Sequence, residues 1–122
     1  MSNWGYTKYA RTEFNNMYGV DPIELTTSDP LWAQWKAYRC NKITNFVRRV
    51  GIMCRYNNIM ITTVIFPNRT LALNTKMQDW KTWSVNNFVD GFTNNINLTF
   101  VLLHPFSPPL YLPLIYFVTI LE

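Results

Sequence analysis

Few side chains in this sequence could carry chemistry. Among 122 residues there are seven carboxylates (Glu13, Asp21, Glu24, Asp29, Asp79, Asp90 and Glu122), eleven Lys or Arg, one His and two Cys. Cys40 and Cys54 fall fourteen residues apart inside what reads as one helix. At ~1.5 Å per residue that places them roughly 20 Å apart along the axis, too far to bridge. Two cysteines are also too few for a disulfide scaffold. With one histidine, His104, set among prolines and aliphatics, and with no CxxC spacing, no metal site and no cofactor are expected. Neither a GxSxG elbow nor a glycine-rich phosphate loop occurs.

The carboxylates read mostly as local structure. Asp21 and Asp29 precede prolines and suit turn and cap positions, Glu13 and Glu24 read as solvated, and Asp79 reads as a surface or capping residue. Asp90 stands near the start of a short strand and suits a structural role. Lys42, Arg48, Arg49 and Arg55 scatter around the helical wheel, as a solvated rim does. The net charge of +4 is modest and implies no nucleic-acid partner. Arg39 is different. On a wheel of ~100° per residue it lies along the centre of an apolar stripe, between the directions of Phe46 and Val50. A guanidinium there must be paired or reach water, so Arg39 either snorkels to the rim, pairs with a distant carboxylate, or faces a ligand.

These residues need elements to hold them. Tyr6, Ala10, Phe14 and Met17 recur at helical spacing, with Gly19 as the stop. Ser28 or Asp29 as cap and Pro30 at the first helical position predict a long helix to about Arg55. Leu31, Trp32, Trp35, Tyr38, Ile43, Phe46, Val47, Val50, Met53 and Cys54 share one half of its wheel. Ile59–Phe66 (IMITTVIF) is a continuous apolar run, predicting a strand buried on both faces. A shorter helix is expected from Thr75 to Val85, then a strand over Phe88–Thr93. Helix, strand, helix, strand with brief links predicts an α/β fold with a parallel sheet.

The chain is 48% apolar, 16% aromatic and 15% charged, which suits one small domain and excludes general disorder. Charge is unevenly placed, for no Asp, Glu, Lys or Arg occurs from Gly91 to Leu121. That length would suffice for a membrane span, but Pro105, Pro108, Pro109 and Pro113 interrupt it. Residues 94–122 therefore read as an apolar, Pro-rich tail. The first thirty residues lack the basic start and apolar stretch of a signal peptide.

GYTKYARTEFNNMYGVDPIELTTSDPLWAQWKAYRCNKITNFVRRV, IMITTVIFP and MQDWKTWSVNNFVDGFT, in that order, resemble consecutive segments of the family-10-like glycosyl hydrolases. The family is also described as the glycosyl-hydrolase-like-10 domain of bacterial cell-envelope proteins. The likeness covers roughly Gly5 to Thr93. It rests most on Gly5-Tyr6 with Gly19-x-Asp21-Pro22, on Trp35 and Arg39, and on Gln78-Asp79-Trp80 before Val89-Asp90. It implies that residues 1–93 are an incomplete (β/α)8 TIM-barrel segment, since a whole barrel takes about 250 residues. Residues 1–29 would then belong to a long loop near the fourth strand, with Ile59–Phe66 about the fifth strand and Phe88–Thr93 about the sixth. The tail from Asn94 on departs from the family's pattern. A truncated gene with a reading frame shifted near Thr93 would account for that departure.

The resemblance implies glycan chemistry in a cell-envelope or extracellular setting. Glycoside hydrolysis takes two carboxyl groups about 5–5.5 or 6.5–9.5 Å apart, placed in a barrel at the C-terminal ends of strands. Neither Phe66-Pro67-Asn68 nor Thr93-Asn94 offers one, so no catalytic residue is expected in the chain. Arg39, Asn68 and Asn94 are the candidate substrate-binding residues. Tyr6, Tyr9, Trp32 and Trp35 could stack on sugar rings, although their spacing also suits a core. Three readings of function stand. The first is a glycosidase-like fragment, inactive alone, related to enzymes acting on polysaccharide or peptidoglycan glycan strands. The others are a small membrane-associated or interaction protein anchored through residues 98–122, and a non-catalytic carbohydrate-binding remnant.

Overall fold

Short side chains folding back on their own turns set most of the helix starts. The computed structural model describes residues 5–94, 100–102 and 116–118. Thr7 Oγ1 accepts the Ala10 N–H at 3.2 Å and opens α1 (Lys8–Tyr18), which Gly19 closes at φ 74°. Glycine suits that left-handed position because it has no Cβ to clash. Asp21 then caps a single 3-10 turn, Pro22–Glu24, by accepting from Ile23 N–H. The same carboxylate takes two donors of the Arg11 guanidinium, Nε at 2.9 Å and Nη2 at 2.5 Å, tying α1 to this turn.

The long helix α2 spans Trp32–Tyr56 and begins later than its sequence suggests. Neither Ser28 nor Asp29 caps it through a side chain, and Pro30 lies outside it. The preceding residues form a turn in which Trp32 N–H reaches the Asp29 carbonyl and Trp35 N–H the Leu31 carbonyl. Backbone carbonyls replace the expected side-chain cap. The apolar half of the wheel is also only partly used. Trp35, Tyr38, Val47 and Cys54 are buried, while Phe46 and Met53 are exposed.

Strand β1 covers Ile61–Ile65, shorter than the apolar run. Beyond it, one expected helix from Thr75 to Val85 is in fact two, α3 (Arg69–Lys76) and α4 (Trp80–Val85). Asn68 caps α3 by accepting the Leu71 N–H at 3.0 Å, and Met77 ends it at φ 56°. Asp79 caps α4, accepting from both the N–H and the hydroxyl of Thr82. This agrees with the capping role expected of Asp79.

Strand β2 (Gly91–Asn94) pairs in parallel with β1, in register from Thr62 opposite Gly91 to Ile65 opposite Asn94. Two three-residue strands complete a sheet of order β3-β2-β1-β4. β3 (Phe100–Leu102) runs antiparallel to β2, and β4 (Tyr116–Val118) parallel to β1. Parts of the Pro-rich tail thus lie along both edges of the central pair. Asp90, just before β2, accepts from the backbone of Ile61, which is the structural role expected of it.

Two separate clusters form the core. Alternation along β1 and β2 turns Ile61, Ile65 and Phe92 toward Val47, Cys54, Trp83 and Val89. Thr62 and Thr93 lie on the opposite face and are also buried. Phe14, Trp35 and Tyr38 form the second cluster, between α1 and the first half of α2.

Candidate functional site

The aromatic cluster between α1 and α2 organises an extended group of interacting side chains. The Phe14 ring meets Trp35 at 5.1 Å and Tyr38 at 5.7 Å, both edge-on, the geometry that aromatic quadrupoles favour. Trp35 and Phe14 are fully buried. The Tyr38 hydroxyl donates to Glu13 Oε2 at 2.5 Å, and Lys42 Nζ lies 2.7 Å from the same oxygen. Lys42, followed by the Tyr38 hydroxyl, holds the Glu13 carboxyl below its ordinary value. Burial, and then Glu13, pushes the Tyr38 phenol upward. Glu13 is therefore no simple solvated residue, since it joins α1 to α2 through two partners.

Arg39 sits next to this group, 6% exposed. Its guanidinium carbon stands 5.1 Å from the Trp35 ring, 5.6 Å from Tyr6 and 5.8 Å from Trp32. Cation–π attraction from three faces gives the charge favourable surroundings inside the aromatic cluster. Burial lowers its pKa from the ordinary arginine value. The aliphatic stem runs past Gly5, where a Cβ would come within 2.8 Å of Arg39 Cδ and the backbone sits at φ +86°. Glycine at position 5 makes room for the arginine.

Between these elements lies a cleft of about 310 Å³. Its walls are Tyr9 and Ala10 from α1, Tyr38 and Ile43 from α2, and Met77 from the end of α3. Gly5 and Thr7 border it, and Arg39 and Lys42 are the charged groups in its lining. Lys42 Nζ lies 5.1 Å from the Tyr38 ring and 5.8 Å from the Tyr9 ring. Cys40 Sγ lies 4.0 Å from Met77 Sδ behind this wall, and burial raises its thiol pKa.

The three sequence-derived candidates lie on different elements. Arg39 lines the cleft. Asn68 lies past the C-terminal end of β1, with Oδ1 engaged in the α3 cap. Asn94 ends β2 opposite Ile65, and its side chain lies outside the described residues. Of the four aromatic candidates, Trp35 is core, Tyr6 and Trp32 are half-buried, and only Tyr9 is largely exposed. Lys42 and Tyr38 were not singled out from sequence as site residues. The Tyr38–Glu13 contact spans 25 positions and leaves no local pattern. Among the described residues no three His, Cys, Asp or Glu gather as a metal site, and no helix is long and apolar enough to cross a membrane. The stretch 98–122, the anchor in one of the three readings, lies largely outside the described residues.

Comparison of the chain with protein-family models, with curated proteins and with solved structures finds no significant match.

Proposed function

We propose that residues 5–93 are a segment of a glycosidase-like (β/α)8 barrel, related to proteins acting on polysaccharide or cell-wall glycan, and that this segment does not hydrolyse glycans by itself. The observation that carries the reading is the parallel pairing of β1 with β2 across α3 and α4. Strand–helix–strand units of this kind are the building blocks of such barrels. The C-terminal ends of both strands, Phe66-Pro67-Asn68 and Asn94, carry no carboxylate. Glycoside hydrolysis by paired carboxyls would need them there. Phe46, Ile52 and Met53, exposed along α2, are apolar surface that further barrel units would cover.

The test is incubation of the purified chain with chitin, β-glucan and peptidoglycan, measuring both retention on the solid and release of reducing ends. Retention on at least one glycan without release is expected. Release of reducing ends overturns the non-catalytic assignment, and absence of retention on every glycan overturns the glycan assignment.

A second reading, membrane association through the tail, draws on the lack of Asp, Glu, Lys and Arg from Gly91 to Leu121. Against it, Phe100–Leu102 and Tyr116–Val118 pair with the sheet. Flotation with lipid vesicles, lost on deletion of residues 98–122, would favour the anchor.

A further inference from the structure

We propose that the second half of α2, from Phe46 to Tyr56, is the docking face for an acidic amphipathic helix of a partner protein. This goes beyond the glycan reading, concerns a face that reading leaves bare, and is tested without glycan.

The face continues an interface that the chain already makes. Trp35, Tyr38 and Lys42 form a stripe along the first half of α2. Continued at ~100° per residue, the same stripe, about 80° wide, carries Phe46, Arg49, Met53 and Tyr56. Helix α1 covers the first half only. Its Phe14 ring packs on Trp35 and Tyr38, and its Glu13 pairs with Lys42 at 2.7 Å. Phe14 lies against Trp35 and Tyr9 beside Lys42, so α1 runs toward the start of α2 and its first turn stands level with Lys42. The stripe past Lys42 lies beyond it. Trp35 and Tyr38 are accordingly buried, whereas Phe46, Met53 and Tyr56 are 52%, 59% and 87% exposed.

Charge identifies what fits there. No Asp or Glu occurs from Pro30 to Gln78, so α2 brings no carboxylate of its own. Among the described residues the ion pairs are Arg11 with Asp21 and Lys42 with Glu13, and neither Arg48 nor Arg49 has one. Both arginines are exposed. The covered half shows what satisfies such a stripe: an apolar ring on its apolar groups and, next to it, a carboxylate on its cation. The bare half repeats the pattern, with Arg49 as the cation that lacks its acid. A second copy of this face would set arginine against arginine, which like charges oppose. From Phe46 to Tyr56 the stripe measures about 15 Å at ~1.5 Å per residue, room for a partner helix of about ten residues. An amphipathic helix laid with its apolar side on such a stripe is a recurrent mode of recognition.

The probe is a 14-residue peptide with leucine at the first and fourth positions of each heptad and glutamate beside them. Control peptides carry glutamine or lysine in place of glutamate. Each is titrated into the full chain, followed by amide chemical shifts. Saturable shifts at residues 46–56 are expected with the glutamate peptide. The glutamine peptide should bind about tenfold more weakly, the usual scale for loss of one charge-assisted hydrogen bond. The lysine peptide should not saturate over the same range.

Arg49→Glu, at an exposed position, should weaken the glutamate peptide by a similar factor and strengthen the lysine peptide. Met53→Ala should weaken the glutamate and glutamine peptides together. Equal binding of the glutamate and lysine peptides overturns the proposal. So does absence of saturable shifts, or shifts confined to residues outside 46–56. Dimerisation of the chain alone in sedimentation, abolished by Met53→Glu, would assign the face to a second copy and overturn it too. Binding to phosphatidylglycerol vesicles that Arg49→Glu abolishes would do the same in favour of a lipid surface. Glycan retention on solids is read separately, so the failure of either assignment leaves the other standing.

Discussion

Asp90 and Ile61 grip each other by two hydrogen bonds. The Ile61 N–H donates to Asp90 Oδ2 at 2.8 Å, and the Asp90 N–H donates to the Ile61 carbonyl at 2.8 Å. The pair fixes where β1 begins against β2. Replacing Asp90 with Ala leaves the Ile61 N–H without its acceptor, and a cost of about 1–3 kcal/mol is expected. Asp90→Asn keeps an oxygen acceptor and should cost less. Urea denaturation of the two variants checks this, and equal losses in both would rule out the carboxylate as the clamp.

Gly51 lets α2 meet the backbone ahead of β2. A Cβ at this position would overlap the carbonyl oxygen of Phe88, which belongs to main chain and cannot swing aside. Gly51→Ala is therefore expected to destabilise the chain by about 3 kcal/mol, although alanine is the better helix former. Thermal unfolding followed by circular dichroism measures it. A raised midpoint would show that α2 and the Phe88 loop are not in contact.

Acid should loosen the junction between α1 and its neighbours. Glu13, held down first by Lys42 and then by Tyr38, and Asp21, held down by Arg11, both titrate below their ordinary values of 4.5 and 3.8. Depressed carboxyl pKa values give stability that is complete above the unfolded value and lost as pH falls through the folded one. Stability should thus decline as pH drops below about 4.5. The double variant Glu13→Gln, Asp21→Asn should show a flatter decline in urea melts across that window. At the alkaline end the Tyr38 phenol, kept protonated by burial, costs stability as pH rises above its ordinary 10.0. Tyr38→Phe should remove that part of the alkaline loss.

The Gln78 side chain serves β1 as a neighbouring strand would. Its Oε1 accepts the Phe66 N–H at 3.0 Å, and its Nε2 donates to the Val64 carbonyl at 3.2 Å. Gln78→Glu keeps the acceptor but sets a carboxylate against the Val64 carbonyl, so it should cost at least as much as Gln78→Ala, about 1–3 kcal/mol. Faster hydrogen exchange at Phe66 in the alanine variant would report the lost acceptor, and unchanged protection would argue against the bond.

What the sequence made legible followed from regular spacing. The stop at Gly19, the body of α2, the apolar β1 and the cap at Asp79 each carry a local signal, and the structure has all four. Helix α3 carries almost none, because its Leu71 is exposed and only Ala72 is buried. Asn68 therefore reads in the sequence as a strand-end candidate for substrate binding, while in the structure it is a cap. The break between α3 and α4 was hidden for a similar reason: Met77 takes a left-handed conformation that glycine or asparagine would have announced. Arg39 was flagged by its place on the wheel. Its surroundings were not readable, because Tyr6 reaches it from the segment ahead of α1. The cleft was invisible in sequence, since its walls come from the start of α1, the middle of α2 and the end of α3, far apart in the chain.

Helix α2 contributes Trp35 and Tyr38 to one cluster and Val47 and Cys54 to the other. Its 25 residues make a rod about 37 Å long at ~1.5 Å rise per residue. Two patches of core thus share one stiff strut, and neither can melt without freeing one end of it. Amide protons from Asn41 to Phe46, between the two patches, are the place to read the consequence. If the strut transmits order, they exchange only in the global opening, and loosening either patch quickens exchange in the span between them.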